Sequence, residues 1–271
     1  MPAAHSPAHA PDRPGPDQPR DQPGHVALVG AGPGDPELLT LAALRALQAA
    51  DVVIHDRLVT DGILALAGPA ARRIEAGKTG FGPAMPQPRI NALIVAHARA
   101  GRRVVRLKGG DPVLFGRLDE EIAALDAAGL AWRIVPGITA ASASAAAIGQ
   151  SLTKRGRNSA LRFITGHDMA GFAEHDWRAL ARPGAVAAIY MGRGSARFIQ
   201  GRLIMHGADR ATPVSVVENA SRPDQRVFAT TLQGWSADLL AAAANGPALI
   251  FLGLAPRAAE AHLAATGQEL A

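Results

Sequence analysis

The sequence predicts an α/β protein made of two α/β domains. Three observations carry this prediction. Short apolar strands alternate with helical stretches in the first half of the chain, glycine-rich loops follow two of these strands, and Pro136-Gly137 interrupts the alternation. Apolar strands separated by helices are typical of a parallel sheet with helices on both faces. We therefore place a domain boundary near Pro136 and find no internal repeat.

The individual elements follow from the apolar runs and from the periodicity between them. Before Pro136 the predicted strands are Val26–Val29, Val52–His55, Val104–Leu107 and Trp132–Val135. The predicted helices between them are Pro36–Ala49, Arg89–Ala100 and Asp119–Ala128. The small residues of "TAASASAAA" then start another helix. The later predicted strands are Leu161–Thr165, Ala185–Tyr190, Pro213–Glu218 and Ala248–Leu252.

The two chain ends are predicted to lie outside both domains. Residues 1–24 contain seven prolines and no apolar segment, which indicates a disordered tail rather than a secretory signal. Residues 25–135 and 136–257 are then the N-terminal and C-terminal α/β domains, and residues 258–271 form a C-terminal extension. No apolar run approaches the length of a membrane helix, so we expect a cytoplasmic protein without a membrane partner.

Composition excludes several classes of function. The formal charge of +5 is spread along the chain and aromatic residues make up 4%, so nucleic-acid binding is not predicted, whereas a polyanionic small substrate fits this charge. The chain has no cysteine, which excludes disulfides and thiolate chemistry. Its nine histidines show no metal-ligand spacing, so no metal site is expected.

The loop "VGAGPGDP" after the first strand looks like a dinucleotide-binding turn but departs from that pattern. Its third glycine, Gly34, comes one residue too early, and Pro33 removes a backbone donor. Asp35 fits a helix N-cap with Pro36 at the first helical position, so a carboxylate stands where a phosphate would bind. The loop therefore favours an uncharged or cationic ligand over a pyrophosphate.

A second glycine loop, "RLKGGDP", follows the strand that ends at Leu107. Gly109 and Gly110 allow the backbone to approach a ligand closely, and Asp111 adds a negative charge that suits an amino group or a sulfonium. A plain turn capped by the Asp111 side chain explains the same residues. Both interpretations remain open for this loop taken alone.

Taken together, the segments resemble the tetrapyrrole methyltransferases. The resemblance runs through "VGAGPGDPELLTLAALRALQAADVVIHDRLV", "RLKGGDPVLFGR", "VPGITAASASAAAIGQSLTKRG", "FITGH", "IYMG", "TPVSVVENAS" and "PALIFLG", and it covers about Val26 to Gly253. The "DRLV" turn, "KGGDP" and "LTKRG" are most similar to the members that methylate uroporphyrinogen III. No dehydrogenase module precedes Val26, so we expect the single-function form.

The resemblance implies the tetrapyrrole methylase fold, with a cofactor cleft between two α/β domains, rather than a Rossmann methyltransferase. It also implies a homodimer that transfers methyl groups from S-adenosylmethionine to two pyrrole carbons of uroporphyrinogen III. The products would be precorrin-2 and S-adenosylhomocysteine. The matching positions imply cofactor contacts from Pro33, Gly109, Gly110, Asp111, Leu114, Thr139, Ala140, Met191, Ala220 and Ala248.

Five further residues match functional positions of the family. Asp56 and Lys78 correspond to a proton acceptor and a proton donor. Arg117 and Arg155 correspond to arginines that face the substrate carboxylates, and Glu120 stands beside the first of these. We group Arg117 and Glu120 with the catalytic residues and Arg155 with substrate binding. Each also has a purely structural explanation. Asp56 could cap a turn, and the others could be solvated loop residues.

Several details leave alternatives open. Leu118-Asp119 replace a usual glycine pair and Lys154 replaces a usual histidine, which stiffens one loop and adds positive charge to another. We also expect Arg57 to pair with its neighbour Asp56. A methylase that acts on a later corrin intermediate, a dinucleotide-dependent oxidoreductase and a module that binds acidic partners remain the rival functions. The residues do not choose between siroheme, cobalamin and another modified haem as the end product.

Overall fold

The computed structural model describes residues 24–77, 85–168 and 171–259. It contains two five-stranded sheets, one after the other along the chain. The strands are β1 (Val26–Gly30), β2 (Val52–His55), β3 (Arg72–Glu75), β4 (Val104–Lys108), β5 (Trp132–Val135), β6 (Arg162–Thr165), β7 (His167–Asp168), β8 (Gly171–Phe172), β9 (Ala187–Tyr190), β10 (Pro213–Glu218), β11 (Arg226–Thr231) and β12 (Ala248–Leu252). The α-helices are α1 (Leu41–Ala49), α2 (Asp61–Leu64), α3 (Gln87–Arg99), α4 (Leu118–Ala127), α5 (Ala140–Ala147), α6 (Trp177–Leu180), α7 (Ala196–Met205) and α8 (Trp235–Ala241).

The first sheet is parallel throughout, in the order β3-β2-β4-β1-β5. Alternate residues of β1 point to opposite faces, so Ala27 and Val29 pack with α1 and α2, whereas Val26 and Leu28 pack with α3 and α4. Both faces are therefore covered. The prediction of a parallel sheet between two layers of helices is confirmed for this half of the chain.

The second sheet is mixed, in the order β11-β10-β12-β9-β6. Only β6 and β9 are parallel; the other neighbours are antiparallel. Trp235 of α8 is fully buried against one face together with α6 and α7. On the other face, Ala141 and Ala145 of α5 pack against Val217 and Phe251, and these small side chains let the helix lie close to the sheet.

The predicted helix Pro36–Ala49 is wrong as a single helix. Residues Pro36–Leu38 form a 3₁₀ turn, and α1 begins only at Leu41. The break lies at Thr40, whose backbone is extended and whose hydroxyl accepts a hydrogen bond from Ala43 N at 3.1 Å. Thr40 is therefore the N-cap of α1.

The expected domain boundary falls between the two sheets, since Pro136 lies between β5 and α5. The division at that residue itself stays a prediction. The expected tail, except Gly24, lies outside the described residues, as does nearly all of the C-terminal extension.

Candidate active site

One cleft of about 290 Å³ is lined by both halves of the chain. The first half contributes the segments that follow β1 and β2 and the end of β4 with the loop after it. The second half contributes the start of α5, the ends of β9 and β10, and the start of β12. Ligands of open parallel sheets bind at the carboxyl ends of the strands, which is where β1, β2 and β4 meet this cleft.

All ten positions at which the resemblance implies cofactor contacts line this cleft. They are Pro33, Gly109, Gly110, Asp111, Leu114, Thr139, Ala140, Met191, Ala220 and Ala248. Asp56 lines it as well. Residues that are up to 215 positions apart in the sequence are thus brought to one site, although their individual contacts with a cofactor stay predictions.

The glycines of the two loops bring backbone against backbone. Gly110 N donates to Gly32 O at 2.7 Å, and Gly32 N donates to Gly110 O at 3.1 Å. A Cβ on Gly137 would lie 2.3 Å from Gly110 O, and one on Gly30 would lie 2.6 Å from Gly137 Cα. These positions therefore require glycine because three chain segments approach one another closely there. No contact with a pyrophosphate is needed to explain the glycines.

Asp111 has the turn-capping role that the sequence left open. Its Oδ1 accepts a hydrogen bond from Val113 N at 2.9 Å, and its Oδ2 accepts one from Gly137 N at 3.2 Å. The carboxylate thus fixes its own loop to the segment that leads into α5. Since Asp111 also lines the cleft, it places negative charge beside any ligand there.

An aromatic group forms another part of the cleft. The Tyr190 hydroxyl is hydrogen-bonded to the Thr139 hydroxyl and accepts a bond from Ala141 N at 3.3 Å. The Tyr190 ring lies 5.1 Å from the ring of Phe115 and 6.1 Å from that of Phe163, between ring centres. Burial raises the pKa of Tyr190 above its ordinary value, although the bond from Thr139 opposes this. The hydroxyl therefore stays protonated and acts as a fixed hydrogen-bonding group.

Four charged side chains form what we call the buried charge cluster: Asp56, Arg106, Lys108 and Glu121. Arg106 Nη2 donates to Asp56 Oδ1 at 2.5 Å, and Arg106 Nε donates to Glu121 Oε1 at 2.8 Å. Lys108 Nζ donates to Glu121 Oε2 at 2.8 Å. Gln87 of α3 also donates to Glu121, at 3.3 Å. The expected pairing of Asp56 with Arg57 is corrected, because the guanidinium that reaches Asp56 comes from the neighbouring strand β4.

The two cations of the cluster respond differently to burial. Burial disfavours the charge of Arg106, but the adjacent Asp56 and Glu121 outweigh it and raise its pKa. For Lys108, burial and the charge of Arg106 lower the pKa, although Glu121 opposes them. Lys108 is thus the more readily titrated cation of the cluster, and its side chain lines the cleft.

Arg222 crosses the cleft from the second half of the chain to the first. Its Nη2 donates to Leu58 O at 2.7 Å, and its Cγ would lie 2.7 Å from a Cβ on Gly34. One residue earlier, the Ser221 hydroxyl accepts a hydrogen bond from Asp35 N at 3.1 Å. Gly34, the third glycine of the first loop, thus leaves room for the side chain of Arg222.

Within the described residues, no group of three or more His, Cys, Asp and Glu side chains is placed to hold a metal ion. None of the helices in that part of the chain has the length and hydropathy needed to cross a membrane.

Comparison with known proteins decides the family. A model of the tetrapyrrole (corrin/porphyrin) methylases matches residues 25–234, most of the chain. The chain belongs to this family. Curated relatives include Siroheme synthase 3 of Aeromonas hydrophila, 47% identical over 230 residues, and the siroheme synthase of Methylococcus capsulatus, 47% identical over 231 residues. Each match covers 85% of this chain but 49% of the relative, so the chain spans about half their length.

Solved structures give the same assignment. A cobalt precorrin-4 methyltransferase superposes with a TM-score of 0.76 at 27% identity, covering 85% of this chain and 95% of that one. A uroporphyrin-III C-methyltransferase from Thermus thermophilus, in complex with S-adenosylhomocysteine, superposes with a TM-score of 0.73 at 40% identity. That likeness covers 84% of this chain and 97% of the other.

The predicted tetrapyrrole methylase fold is therefore confirmed. So is the prediction of a C-methyltransferase that uses S-adenosylmethionine. The rival dinucleotide oxidoreductase loses its support, because the glycines of the first loop pack against protein atoms.

Three further predicted site residues of this tetrapyrrole methylase are not among the residues that line the cleft. Arg117 and Glu120 form an exposed ion pair at the start of α4, with Arg117 Nε donating to Glu120 Oε1 at 2.6 Å. Arg155 is exposed in the loop between α5 and β6. Lys78 lies outside the described residues. The structure thus joins Asp56 with the cofactor positions but does not join Arg117, Glu120 and Arg155 with them.

Some residues of the site were not predicted. Arg106 and Glu121 carry charges inside a buried strand and a buried helix face, and a charge within the apolar run "VVRLK" was the available signal. Tyr190 is the single tyrosine of the chain, and it directly precedes the predicted Met191. Phe115 and Arg222 stand in loops, where no periodic pattern marks them.

Proposed function

We propose that this tetrapyrrole methylase methylates two pyrrole-ring carbons of uroporphyrinogen III and forms precorrin-2. The observation that carries the proposal is the cleft, in which Asp56 and all ten cofactor positions implied by the "GAGPGDP", "DRLV" and "KGGDP" resemblance meet. The similarity to a uroporphyrin-III C-methyltransferase at 40% identity and to siroheme synthases supports the same substrate.

The residues of the cleft fit S-adenosylmethionine. Gly109, Gly110 and Asp111 line the cleft, and their backbone groups and carboxylate would hold the amino acid end and the sulfonium. Ala140 and Ala248 also line it, and their small side chains would leave room for the adenine ring. When bound, the cofactor supplies an electrophilic methyl group on a positively charged sulfur. The protein orients the partners and keeps water away, which is where most of the rate of such a transfer comes from.

Asp56 accepts the proton that the macrocycle loses. For each methyl group gained, one carbon–hydrogen bond of the macrocycle breaks, its electrons stay on the ring system, and the proton goes to the carboxylate. Lys78 is the proposed proton donor by resemblance. Arg117 and Arg155 bind substrate carboxylates, with Glu120 holding Arg117 in place. We propose a homodimer, as in the family that the sequence resembles.

A later corrin intermediate is the second candidate substrate. The observation in its favour is the TM-score of 0.76 with a cobalt precorrin-4 methyltransferase, slightly above the 0.73 with the uroporphyrin-III enzyme. The lower identity of 27%, against 40%, weighs the other way.

The test is a substrate comparison under exclusion of oxygen. Purified protein is incubated with S-adenosylmethionine and freshly reduced uroporphyrinogen III, and in parallel with later precorrins and their cobalt complexes. We expect a product from uroporphyrinogen III only, heavier than the substrate by two CH2 units, because each methyl group gained replaces one hydrogen lost as a proton. Methylation of a later precorrin only would select the second candidate, and methylation of neither would reject both.

A further inference from the structure

The buried charge cluster requires an explanation beyond the fold. The side chains of Arg106, Lys108 and Glu121 are exposed by only 3%, 4% and 0%, whereas that of Asp56 is exposed by 34%. Burying ions costs free energy that apolar residues of similar size would not cost. Two cations and two anions are nevertheless held together, and the one member that reaches solvent is the one that we propose as the proton acceptor.

The cluster also fixes the position of Arg106. Besides its bonds to Asp56 and Glu121, its Nη1 donates to Leu107 O at 3.3 Å and to Ile54 O at 3.4 Å. All three nitrogens of the guanidinium thus donate hydrogen bonds, to partners in β2, in β4, in α4 and directly after β2. Since Arg106 donates to Asp56 from this fixed frame, the carboxylate is held in one place at the edge of the cleft.

We propose that Arg106 is a positioning residue for Asp56 and that Glu121, itself bound by Lys108, balances the charge of Arg106. This inference rests on the proposed function, because it assigns Asp56 the proton released at each methylation. The proton passes from a carbon of the macrocycle to an oxygen of Asp56 and then to water. Without Glu121, two cations would face a single carboxylate and weaken it as a base.

Other titratable groups near Asp56 also contribute to its charge environment. The His55 ring contacts the Asp56 carbonyl through Nδ1 at 3.2 Å, Arg57 follows in the chain, and Glu75 of β3 lies beside His55 in register. None of these is altered in the variants below. Differences in rate profile between the variants therefore reflect the charges of the buried charge cluster and not those of its surroundings.

The experiment compares two variants that change the charge in opposite directions. Arg106→Gln removes a positive charge beside Asp56, so the acid limb of the rate profile should move to higher pH. Glu121→Gln removes a negative charge, so the acid limb should move to lower pH by a smaller amount. Both variants should lower the maximal rate at least about tenfold. In Arg106→Gln the Asp56 carboxylate is no longer held in place, and in Glu121→Gln it is a weaker base. Arg103→Gln is the matched control, since Arg103 lies at the other end of β4 and pairs with Asp51.

A second readout does not depend on turnover. The Asp56 carboxyl is followed by carbon-13 NMR in protein labelled at its aspartates, with Asp56→Asn identifying the signal. Its titration midpoint should rise in Arg106→Gln, fall in Glu121→Gln and stay unchanged in Arg103→Gln. This titration tests the cluster even if uroporphyrinogen III is not methylated, so failure of the proposed function and failure of this inference are distinguished.

Two outcomes would overturn the inference. If the Asp56 titration midpoint moves in the same direction in both variants, or does not move in either, the cluster has only a structural role. If the single variants do not fold, the double variant Arg106→Gln with Glu121→Gln keeps the cluster neutral, and binding of S-adenosylhomocysteine reports whether it has folded. Turnover of that folded double variant at the wild-type rate would equally exclude a positioning role.

Discussion

At the scale of single residues, the carboxylates of the predicted site differ in how firmly they are held. Asp56 is tied to an arginine that is 3% exposed, whereas Glu120 and its partner Arg117 are exposed by 45% and 51%. Exposed ion pairs contribute little to stability and rearrange easily. The Arg117–Glu120 pair is therefore held less firmly than Asp56, whose partner Arg106 is buried.

Replacing Asp56 separates its two possible roles. Asp56→Asn keeps the shape of the side chain but cannot accept the proton, so we expect normal folding and cofactor binding with turnover at least roughly a hundredfold slower. Stopped assays with uroporphyrinogen III give the rate, and calorimetry with S-adenosylhomocysteine gives the affinity. Near-normal turnover would return Asp56 to a structural role.

At the scale of elements, the strands with apolar runs were predicted from the sequence, and two strands with mostly exposed residues were not. Strands β2, β5, β10 and β12 were predicted with their observed bounds. Strands β3 and β11 were missed; most of their residues are exposed, so no long apolar run marks them. In the site, the glycine loops at strand ends were predicted, whereas Arg106 and Glu121 were not, because the charge within "VVRLK" does not show which side chain pairs with it.

Close packing between elements gives a second prediction. Gly137→Ala would place a methyl group 2.3 Å from Gly110 O, where backbone atoms cannot easily move, so we expect a large loss of stability, several kcal/mol. Gly201 lies inside α7 with no atom within 4 Å of an added Cβ. Gly201→Ala should therefore stabilise by about 0.5–1 kcal/mol. Urea unfolding of both variants provides the measurement, and equal effects would contradict the close approach.

A buried glutamate links three elements of the second sheet and gives a prediction on pH. Burial alone would raise the pKa of Glu218, but hydrogen bonds from Gly246 N at 2.5 Å and from Arg226 outweigh it and lower the pKa. A carboxyl whose folded pKa is lowered stabilises the protein above its ordinary pKa of 4.5 and ceases to do so as the pH falls through the folded value.

Glu218→Gln should therefore cost about 1–3 kcal/mol near neutral pH, and the difference from wild type should shrink as the pH falls below about 4.5. Unfolding free energies measured from pH 7 down to pH 3 test this, with Glu37→Gln as an exposed control. A difference that stays constant with pH would mean that charge plays no part.

At the scale of the whole molecule, strained backbone gathers where the two halves meet. Phe115 and Met191, which line the cleft, both have positive φ, as do Asn219 and Ser221 on either side of Ala220. Such conformations cost free energy in residues other than glycine and concentrate at functional sites. These residues line the cleft or flank its lining, and that lining comes from both halves of the chain.

Arg222 is the contact that we expect to matter most for this assembly. Arg222 lines the cleft from the second half of the chain. It donates a hydrogen bond to Leu58 O at 2.7 Å, in the turn that carries Asp56. Arg222→Ala removes this bridge and leaves Gly34 without the side chain that packs against it. We expect S-adenosylhomocysteine to bind roughly tenfold more weakly, since one charge-assisted bond that orders the cleft is lost.

The control for this variant is Arg210→Ala, an exposed arginine ahead of the opposite end of β10. Calorimetry should give wild-type affinity for the control, and thermal unfolding should show whether the bound ligand still raises the melting temperature of Arg222→Ala. Because Arg222 touches both halves, the variant should lose affinity even at temperatures where it is fully folded. Unchanged affinity in a folded Arg222→Ala protein would mean that the halves hold the cleft open without this bridge.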